Sequence, residues 1–148
     1  MKIALASDHA GIEHRRAVRE QLERLGHECI DLGSDGADPA DDYPDYAFDA
    51  GERVARGEVD AAVCICGTGI GMSIAANKIP GVRAANCWNE FSVRVSRTHN
   101  DANVLCLGGR TLEPSTAARL AGLWTQQGFE GGRHIRRIRK IADFEKRP

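Results

Sequence analysis

A chain of 148 residues can build one hydrophobic core but is short for two full domains, so we expect a single domain over residues 1–148. Hydrophobic residues make up 42% of the chain and charged residues 28%, which is typical of a folded globular protein and argues against disorder or a membrane protein. The net charge of -1 gives the whole chain no attraction to nucleic acid.

The first residues contain an apolar run far shorter than the core of a signal peptide, and no segment approaches the roughly 20 apolar residues that span a bilayer. The five cysteines are odd in number and lie mostly in apolar, strand-like segments. This placement indicates reduced thiols rather than a disulfide framework. We therefore expect a cytoplasmic protein that contacts no membrane.

Short apolar runs alternate with helical segments along the chain, which is the pattern of a parallel sheet covered by helices. The predicted strands cover residues 2–6, 28–31, 61–65, 83–86 and 104–107. The predicted helices cover about residues 11–25, 44–56, 71–78, 89–98, 113–127 and 134–146. The expected fold class is α/β, a three-layer α/β/α domain with a five-stranded parallel sheet of the Rossmann-like or flavodoxin-like type.

The first predicted helix has one apolar face. Val18, Leu22 and Leu25 are spaced four and three residues apart, so we expect them to be buried together. The basic residues of the helix, among them His14 and Arg15, are expected to face elsewhere. The acidic stretch 33–43, rich in Gly, Asp and Pro, is predicted to be an exposed connection.

Candidate ligand-binding residues follow the predicted strands. Folds of this class bind ligands at the carboxyl ends of their strands. The polar segments at those ends are Ser7-Asp8-His9 after the first strand, residues 66–71 after the third, Trp88-Asn89 after the fourth and Gly108-Gly109-Arg110 after the fifth. We expect these segments to gather at one edge of the sheet.

The most informative of these segments joins a thiol, Cys66, to a glycine-rich turn before the third helix. Glycines allow the backbone to approach a ligand with its N–H groups free, and the helix N-terminus adds partial positive charge. The same field favours the thiolate form of a nearby cysteine. A base or nucleophile and an oxyanion site are therefore predicted within one segment.

Simpler explanations exist for this segment. Its G-x-G-x-G pattern after the third strand fits neither the dinucleotide fingerprint nor a phosphate loop that ends in Gly-Lys-Ser/Thr. A tight turn without a ligand explains a glycine cluster alone equally well. A lone cysteine is also more often structural, and Cys64, deeper on the same strand face as Cys66, is expected in the core. The two thiols lack the usual spacing of a metal pair.

The remaining charged candidates are also ambiguous one by one. Ser7 or Asp8 can simply cap the first helix, which leaves His9 as a candidate hydrogen-bond donor to a phosphate or as an acid-base group. His99 ends the fourth helix, where a histidine can merely complement the helix dipole. Arg133 and Arg137, four residues apart, can grip a phosphate, although such charge clusters are commonly solvated helix faces. Nucleic-acid binding by this basic segment is disfavoured, because the segment lacks the interleaved aromatic residues that such binding uses.

Seven motifs, taken together, resemble a type B ribose-5-phosphate isomerase, in a family that also holds galactose-6-phosphate and allose-6-phosphate isomerases. The resemblance covers nearly the whole chain, in order and at consistent spacing. The motifs are Asp8-His9-Ala10-Gly11, Tyr43-Pro44, residues 66–71, Ala75-Ala76-Asn77-Lys78, His99-Asn100, Asn103-Val104 and Glu130-Gly131-Gly132-Arg133-His134.

The resemblance implies an aldose-ketose isomerase of the pentose phosphate pathway, which interconverts ribose 5-phosphate and ribulose 5-phosphate through a cis-enediolate without metal or cofactor. It implies that Cys66 is the base between C1 and C2, and that Thr68 shuttles protons on the sugar oxygens. His99, with Asp8 facing it, would open the furanose ring. The implied binding residues are Gly67, Gly69, Ile70 and Gly71 for the enediolate oxygen, Tyr43 and Asn100 for the sugar, and His9, Arg110, Arg133 and Arg137 for the phosphate, with His134 in the same pocket.

The resemblance also implies a site shared between two subunits of a homodimer or a dimer of dimers, with the last helix, about 134–146, packing on the partner. The Gly-rich segment 128–132 would let that helix leave its own domain. One subgroup of the family replaces the cysteine with a glutamate at the position of Met72. Here the thiol is present and the acid is absent, which favours Cys66 as the base.

Three alternatives remain open from the sequence. The first is an isomerase of a six-carbon sugar phosphate, allose or galactose 6-phosphate. The second is a non-catalytic module that binds a sugar phosphate or a nucleotide. The third is a redox-sensing protein that uses Cys64 and Cys66, although two cysteines separated by one strand residue have poor disulfide geometry.

Overall fold

The computed structural model describes residues 1–147 and confirms the predicted α/β class. The elements, each within one or two residues of its expected bounds, are β1 Lys2–Ser7, α1 Ile12–Arg24, β2 Glu28–Asp31, α2 Tyr43–Ala55, β3 Ala61–Cys66, α3 Ile70–Ala76, β4 Ala84–Asn86, α4 Glu90–Thr98, β5 Val104–Gly108, α5 Pro114–Thr125 and α6 Arg133–Glu145. A short 3-10 turn, His9–Gly11, precedes α1. In this part of the chain no helix is long and apolar enough to cross a bilayer.

The five strands form one parallel sheet in the order β2-β1-β3-β5-β4. The first three positions follow the flavodoxin-like order, whereas β4 and β5 are interchanged relative to it. Strands β2 and β3 lie on opposite sides of β1, so the direction in which strands are added to the sheet reverses after β2. The carboxyl ends of β1 and β3, where Ser7 pairs with Ile65, therefore flank the switch point at which such folds form a crevice.

Two apolar clusters cover the two faces of the sheet. One joins the sheet to α1, α4 and α5 around Leu5, Leu22 and Trp124. The other joins it to α2 and α3 around Cys64 and Met72. All six residues of β3 are buried, as expected for a central strand of a parallel sheet. The strand that carries Cys66 is thus fixed from both sides.

The first helix departs in part from its expected pattern. Val18 and Leu22 are fully buried, as predicted, but Leu25 is exposed, because α1 ends at Arg24 and Gly26 turns the chain away with a φ of 84°. The prediction that His14 and Arg15 face away from the interior is wrong, since both are buried. His14 is hydrogen-bonded through Nε2 to the Leu112 carbonyl oxygen at 2.7 Å.

Arg15 is buried because its guanidinium finds polar partners on three neighbouring segments. It donates to the Ser7 hydroxyl at the end of β1 and to the Ser34 carbonyl at 2.8 Å, and it pairs with Asp31 at the end of β2 at 2.9 Å. These contacts attach the start of the connection 33–43 to α1 and to the carboxyl ends of β1 and β2.

The last helix, α6, contributes no residue to either apolar cluster of the described chain. Its apolar residues Ile135, Ile141 and Phe144 are exposed by 42%, 50% and 65%. It is held to the domain by few polar contacts, one of them from the Gly81 N–H to the Glu145 carboxylate at 3.0 Å.

Candidate active site

A cleft of about 530 Å³ opens at the carboxyl edge of the sheet, where the switch point was expected to place it. It gathers most of the residues that the sequence indicated at the ends of β1, β3 and β5. The lining residues are Asp8, His9, Ala10, Asp41, Tyr43, Cys66, Gly67, Thr68, Ile70, Gly71, Ile74 and Arg110.

Cys66 is the last residue of β3, only 5% exposed, and its sulfur lies at the base of the turn that follows. The Gly69 N–H donates a hydrogen bond to Sγ over 3.2 Å. Gly69 can make this contact because its φ is 77°, and a Cβ there would lie 2.9 Å from the Leu107 carbonyl carbon. The glycine is therefore needed both for the turn and for its close approach to β5.

The turn uses some of the N–H groups that were expected to face a ligand. Gly69 N–H is engaged by Cys66, and Ile70 N–H donates to the Thr68 hydroxyl at 3.3 Å. Gly71 lies in the first turn of α3, where N–H groups have no helical acceptor. A Cβ on Gly71 would lie 2.5 Å from the ring of Tyr43, so this glycine allows the aromatic ring to pack over the turn.

The end of β1 supplies a carboxyl group with altered acidity. Asp8 caps the 3-10 turn that precedes α1 by accepting from Ala10 N–H at 2.9 Å, whereas α1 itself begins after Gly11 with no side-chain cap, so the predicted cap of the first helix is not made. Burial raises the pKa of Asp8, and the Ala10 hydrogen bond and the nearby His9 offset that effect only in part. A carboxyl group of this kind in a cleft is a candidate for proton exchange.

His9 is paired with Asp41, a residue that the sequence did not single out because it lies in the stretch predicted to be exposed. His9 Nδ1 lies 2.6 Å from Asp41 Oδ1, and Tyr46 donates to the second carboxylate oxygen at 3.0 Å. Burial alone would raise the pKa of Asp41. Hydrogen bonds from Ser34, His9 and Tyr46 outweigh that effect and lower the pKa to about 2, so the carboxylate is ionised.

A guanidinium group lines the same cleft as His9. Arg110 follows β5, and its N–H donates to the Gly67 carbonyl at 2.9 Å. Its guanidinium lies so close to Gly67 that a Cβ there would be 3.3 Å from Nη1. The Gly109 N–H donates to the Cys66 carbonyl at 2.7 Å. The loop after β5 is thus joined directly to the Cys66 turn, and it brings the positive charge of Arg110 to the cleft, where it can attract an anionic ligand.

The other predicted site residues form a separate group away from this cleft. His99 is the C-cap of α4, and its ring stacks on that of His134 with centroids 4.3 Å apart and an angle of 12°. Burial lowers the pKa of His134, and the charges of His99, Arg133 and Arg137 act in the same direction. Neither arginine has an ion-pair partner within residues 1–147.

Asn100 also lies outside the cleft that contains Cys66. It lines a neighbouring pocket of about 390 Å³ together with residues of β4 and α6, among them Ala85, Ile141 and Glu145. The structure thus divides the predicted site residues into a cleft group, around Cys66, and an α6 group. The α6 group consists of His99, Asn100, Arg133, His134 and Arg137.

One cluster in the described part of the chain has the composition of a metal site. His99, Glu130 and His134 offer ligand atoms within 4.8 Å of one another. The two imidazole rings are stacked and almost parallel, so their nitrogen lone pairs lie in two separate planes. A tetrahedral metal site needs lone pairs that converge on one point. The absence of a metal from the reaction stays a prediction.

Cys64 is fully buried in the core, as expected. Its neighbour across the sheet is Cys106, with which it is in register. A hydrogen bond with Cys64 and complete burial raise the pKa of Cys106. The thiols of Cys64 and Cys106 are therefore sealed from solvent, and that of Cys106 is held in the protonated form.

The fold and the cleft together define a three-layer α/β protein that presents a thiol, hydroxyl groups, two carboxyl groups, an imidazole and a guanidinium at the carboxyl edge of its sheet. Comparison with known proteins identifies the family of this chain. The chain belongs to the ribose/galactose isomerase family, whose model matches residues 3–141.

Individual relatives are similar over nearly the full chain. Ribose-5-phosphate isomerase B of Escherichia coli is 42% identical over 146 residues, which cover 99% of this chain and 97% of the relative. The structure of a ribose-5-phosphate isomerase B from Clostridium thermocellum matches with a TM-score of 0.94 at 46% identity, covering 99% and 98% of the two chains. That of the Mycoplasma genitalium enzyme with bound ribulose 5-phosphate matches with a TM-score of 0.94 at 40% identity, covering 99% and 97%.

Proposed function

We propose that this protein is an aldose-ketose isomerase that interconverts ribose 5-phosphate and ribulose 5-phosphate, as a cytoplasmic enzyme of the pentose phosphate pathway. The observation that carries the proposal is the place of Cys66, whose sulfur lies at a strand end in a cleft lined by His9 and Arg110. The names of the relatives support the substrate. The bound ribulose 5-phosphate in the Mycoplasma genitalium enzyme supports a sugar phosphate as the ligand.

In the proposed reaction the open-chain aldose loses the C2 proton to the Cys66 thiolate, and the electrons move to the C1 carbonyl oxygen to form a cis-enediolate. The thiol returns the proton to C1, while the proton of the O2 hydroxyl is transferred to O1 with Thr68 as the shuttle. The Gly71 N–H at the start of α3, which has no helical acceptor, stabilises the oxyanion. A positioned base and an oxyanion site typically contribute factors of about 10² or more each.

The phosphate and ring-opening groups of the α6 group are supplied by a second copy of the chain in this proposal. Two observations support a shared site. His99, Arg133 and Arg137 do not line the cleft of their own chain, and α6 leaves Ile135 and Phe144 exposed. Burying these apolar side chains on a partner would stabilise a homodimer, alone or within a dimer of dimers, and would carry the arginines to the partner's cleft.

The alternatives are less well supported. A redox role for Cys64 is disfavoured because its thiol is fully buried. A non-catalytic binding module has no need for the thiol, hydroxyl and carboxyl group that share the cleft. A six-carbon substrate remains the competing choice, because one hydroxymethyl group changes only how deeply the sugar reaches past Tyr43 and Ile74.

The deciding experiment compares kcat/KM for ribose 5-phosphate, allose 6-phosphate and galactose 6-phosphate. We expect ribose 5-phosphate to be preferred at least about tenfold, the discrimination that one carbon unit supports. Preference for a six-carbon substrate would replace the proposed substrate but keep the isomerase. No turnover of any of the three would favour the binding module.

A further inference from the structure

The Asp41 carboxylate binds both the main chain and the side chain of His9. Its Oδ1 atom lies 2.6 Å from the ring Nδ1 and accepts the His9 backbone N–H at 3.1 Å. The hydroxyl of Tyr46 donates to Oδ2 at 3.0 Å. The Asp41 side chain is only 9% exposed, whereas His9 remains 35% exposed toward the cleft. One largely buried carboxylate therefore fixes both the backbone and the ring of a more exposed cleft residue.

This contact determines which ring nitrogen is protonated. Hydrogen bonds lower the pKa of Asp41 to about 2, so its carboxylate can only accept hydrogen bonds. Nδ1 of His9 must then carry a proton, which leaves Nε2 as the nitrogen that can meet a ligand. A neutral ring offers a lone pair at Nε2, and a protonated ring offers an N–H. A phosphate dianion has only acceptor oxygens and is therefore bound by the protonated ring.

We propose that Asp41 is a positioning residue: it holds the His9 ring with Nδ1 protonated and Nε2 in the cleft, so that a phosphate dianion is bound by the doubly protonated imidazole. This rests on the proposed role of the cleft as a sugar-phosphate site. The other titratable and charged groups that line the cleft are Asp8, Tyr43, Cys66 and Arg110. Arg110 adds positive charge for the same ligand, and Asp8 is held toward its neutral form by its raised pKa.

The neighbouring residue provides a matched control. Asp42 is exposed and its side chain makes no capping hydrogen bond, although it stands next to Asp41 in the chain. Asp41→Asn and Asp42→Asn remove the same charge from nearly the same place, but only the first changes the contact with His9. An amide at position 41 can donate as well as accept, so it no longer imposes one tautomer.

Steady-state kinetics gives the first test. We expect Asp41→Asn to raise KM for the sugar phosphate about tenfold or more with kcat changed less than about threefold, the size of a lost charged hydrogen bond. Asp42→Asn should leave both constants unchanged. Tyr46→Phe keeps the His9 contact and should raise KM less than Asp41→Asn. Unchanged KM in Asp41→Asn, or an equal rise in Asp42→Asn, would overturn the proposal.

The tautomer can be read directly by nitrogen-proton NMR of the imidazoles, with the His9 signals assigned by their loss in His9→Asn. The neutral ring should carry its proton on Nδ1, and saturation with inorganic phosphate should give a ring protonated on both nitrogens. Asp41→Asn should give a mixture of tautomers. A neutral ring protonated on Nε2 in the unsubstituted protein would overturn the proposal, even for an active isomerase.

This readout does not depend on turnover, so the two proposals can fail separately. A protein with the expected His9 tautomer that turns over no sugar phosphate would contradict the isomerase and leave the role of Asp41 standing.

Discussion

The cleft group and the α6 group differ in how the fold holds them. The cleft residues extend from the ends of three buried strands, and hydrogen bonds join their loops, such as that from Gly109 N–H to the Cys66 carbonyl. The α6 group combines His99 and Asn100, at the end of α4, with three residues of α6, a helix that contributes nothing to the described core and exposes its apolar side chains. One chain thus fixes the proposed proton-transfer groups at strand ends, whereas the proposed phosphate groups Arg133 and Arg137 lie on a helix outside both apolar clusters.

This difference suits the two roles proposed for the groups, proton transfer for the cleft group and phosphate binding for the arginines of the α6 group. Proton transfer tolerates little error in distance, which suits residues on rigid strand ends. Phosphate binding by arginine works through charge and forked hydrogen bonds and can be supplied by a helix that docks from elsewhere. Substitutions in the two groups should therefore act on different kinetic constants.

The largest effect is expected for the cleft thiol. Cys66→Ala removes the proposed base and should lower kcat by about 10²- to 10⁴-fold, the contribution of a general base, while the backbone N–H groups of the oxyanion site stay in place. Circular dichroism should show an unchanged fold. The matched control is Cys64→Ala in the same strand, which should lower the free energy of unfolding by about 1 kcal/mol but leave kcat near normal. Near-normal turnover by Cys66→Ala would remove the thiol from the mechanism.

A substitution in the α6 group should act on KM instead. Arg137→Ala removes one proposed phosphate contact and should raise KM about tenfold or more, with kcat changed only slightly. Arg139→Ala is the control, because two positions further along the helix its side chain points to nearly the opposite face. A fall in kcat at unchanged KM for Arg137→Ala would mean that this residue acts in the chemical step. The proposed difference in role between the two groups would then be wrong.

The His9–Asp41 pair should affect stability as a function of pH. The pKa of Asp41 is lowered to about 2 in the folded protein, below an ordinary value of about 3.9, so the ionised form stabilises the fold. That contribution is complete above about pH 4 and is lost as the pH falls toward about 2. Urea unfolding should show Asp41→Asn less stable than the unsubstituted protein at neutral pH, with the gap narrowing in acid. A gap that does not depend on pH would contradict the assignment.

The smallest effect is expected from removal of metal ions. Incubation with a chelator should leave kcat/KM unchanged, because His99, Glu130 and His134 do not converge as metal ligands. If a chelator lowers activity and Zn²⁺ restores it, Glu130→Gln would identify whether this cluster holds the ion.

Local patterns in the sequence account for much of the fold and for the cleft group. The alternation of strands and helices is a local property, and so is the glycine spacing that places a turn after Cys66. Because parallel strands end at a common edge, the segments after β1, β3 and β5 could be expected to meet. They do meet in the cleft that contains His9 and Arg110.

Features that depend on distant contacts could not be read in the same way. The order of β4 and β5 depends on a crossover, which leaves no local signal. The helical pattern predicts that Arg15 lies on a solvated face. It is buried instead, because its partners Ser7, Asp31 and Ser34 come from three segments that the pattern of one helix does not reveal. Asp41 was overlooked for the same reason. Its place in an acidic loop suggested exposure, whereas its contacts with His9 bury it.

The central claim is that each active site combines the cleft of one chain with the α6 group of another. Cys66→Ala and His99→Asn should each be nearly inactive as pure proteins. In an equal mixture refolded together, half of the dimers combine the two variants and hold one intact site each, so activity should return to about a quarter of the unsubstituted level. Native mass spectrometry verifies that hybrids have formed. A mixture with verified hybrids that stays as inactive as its parents would contradict the shared site.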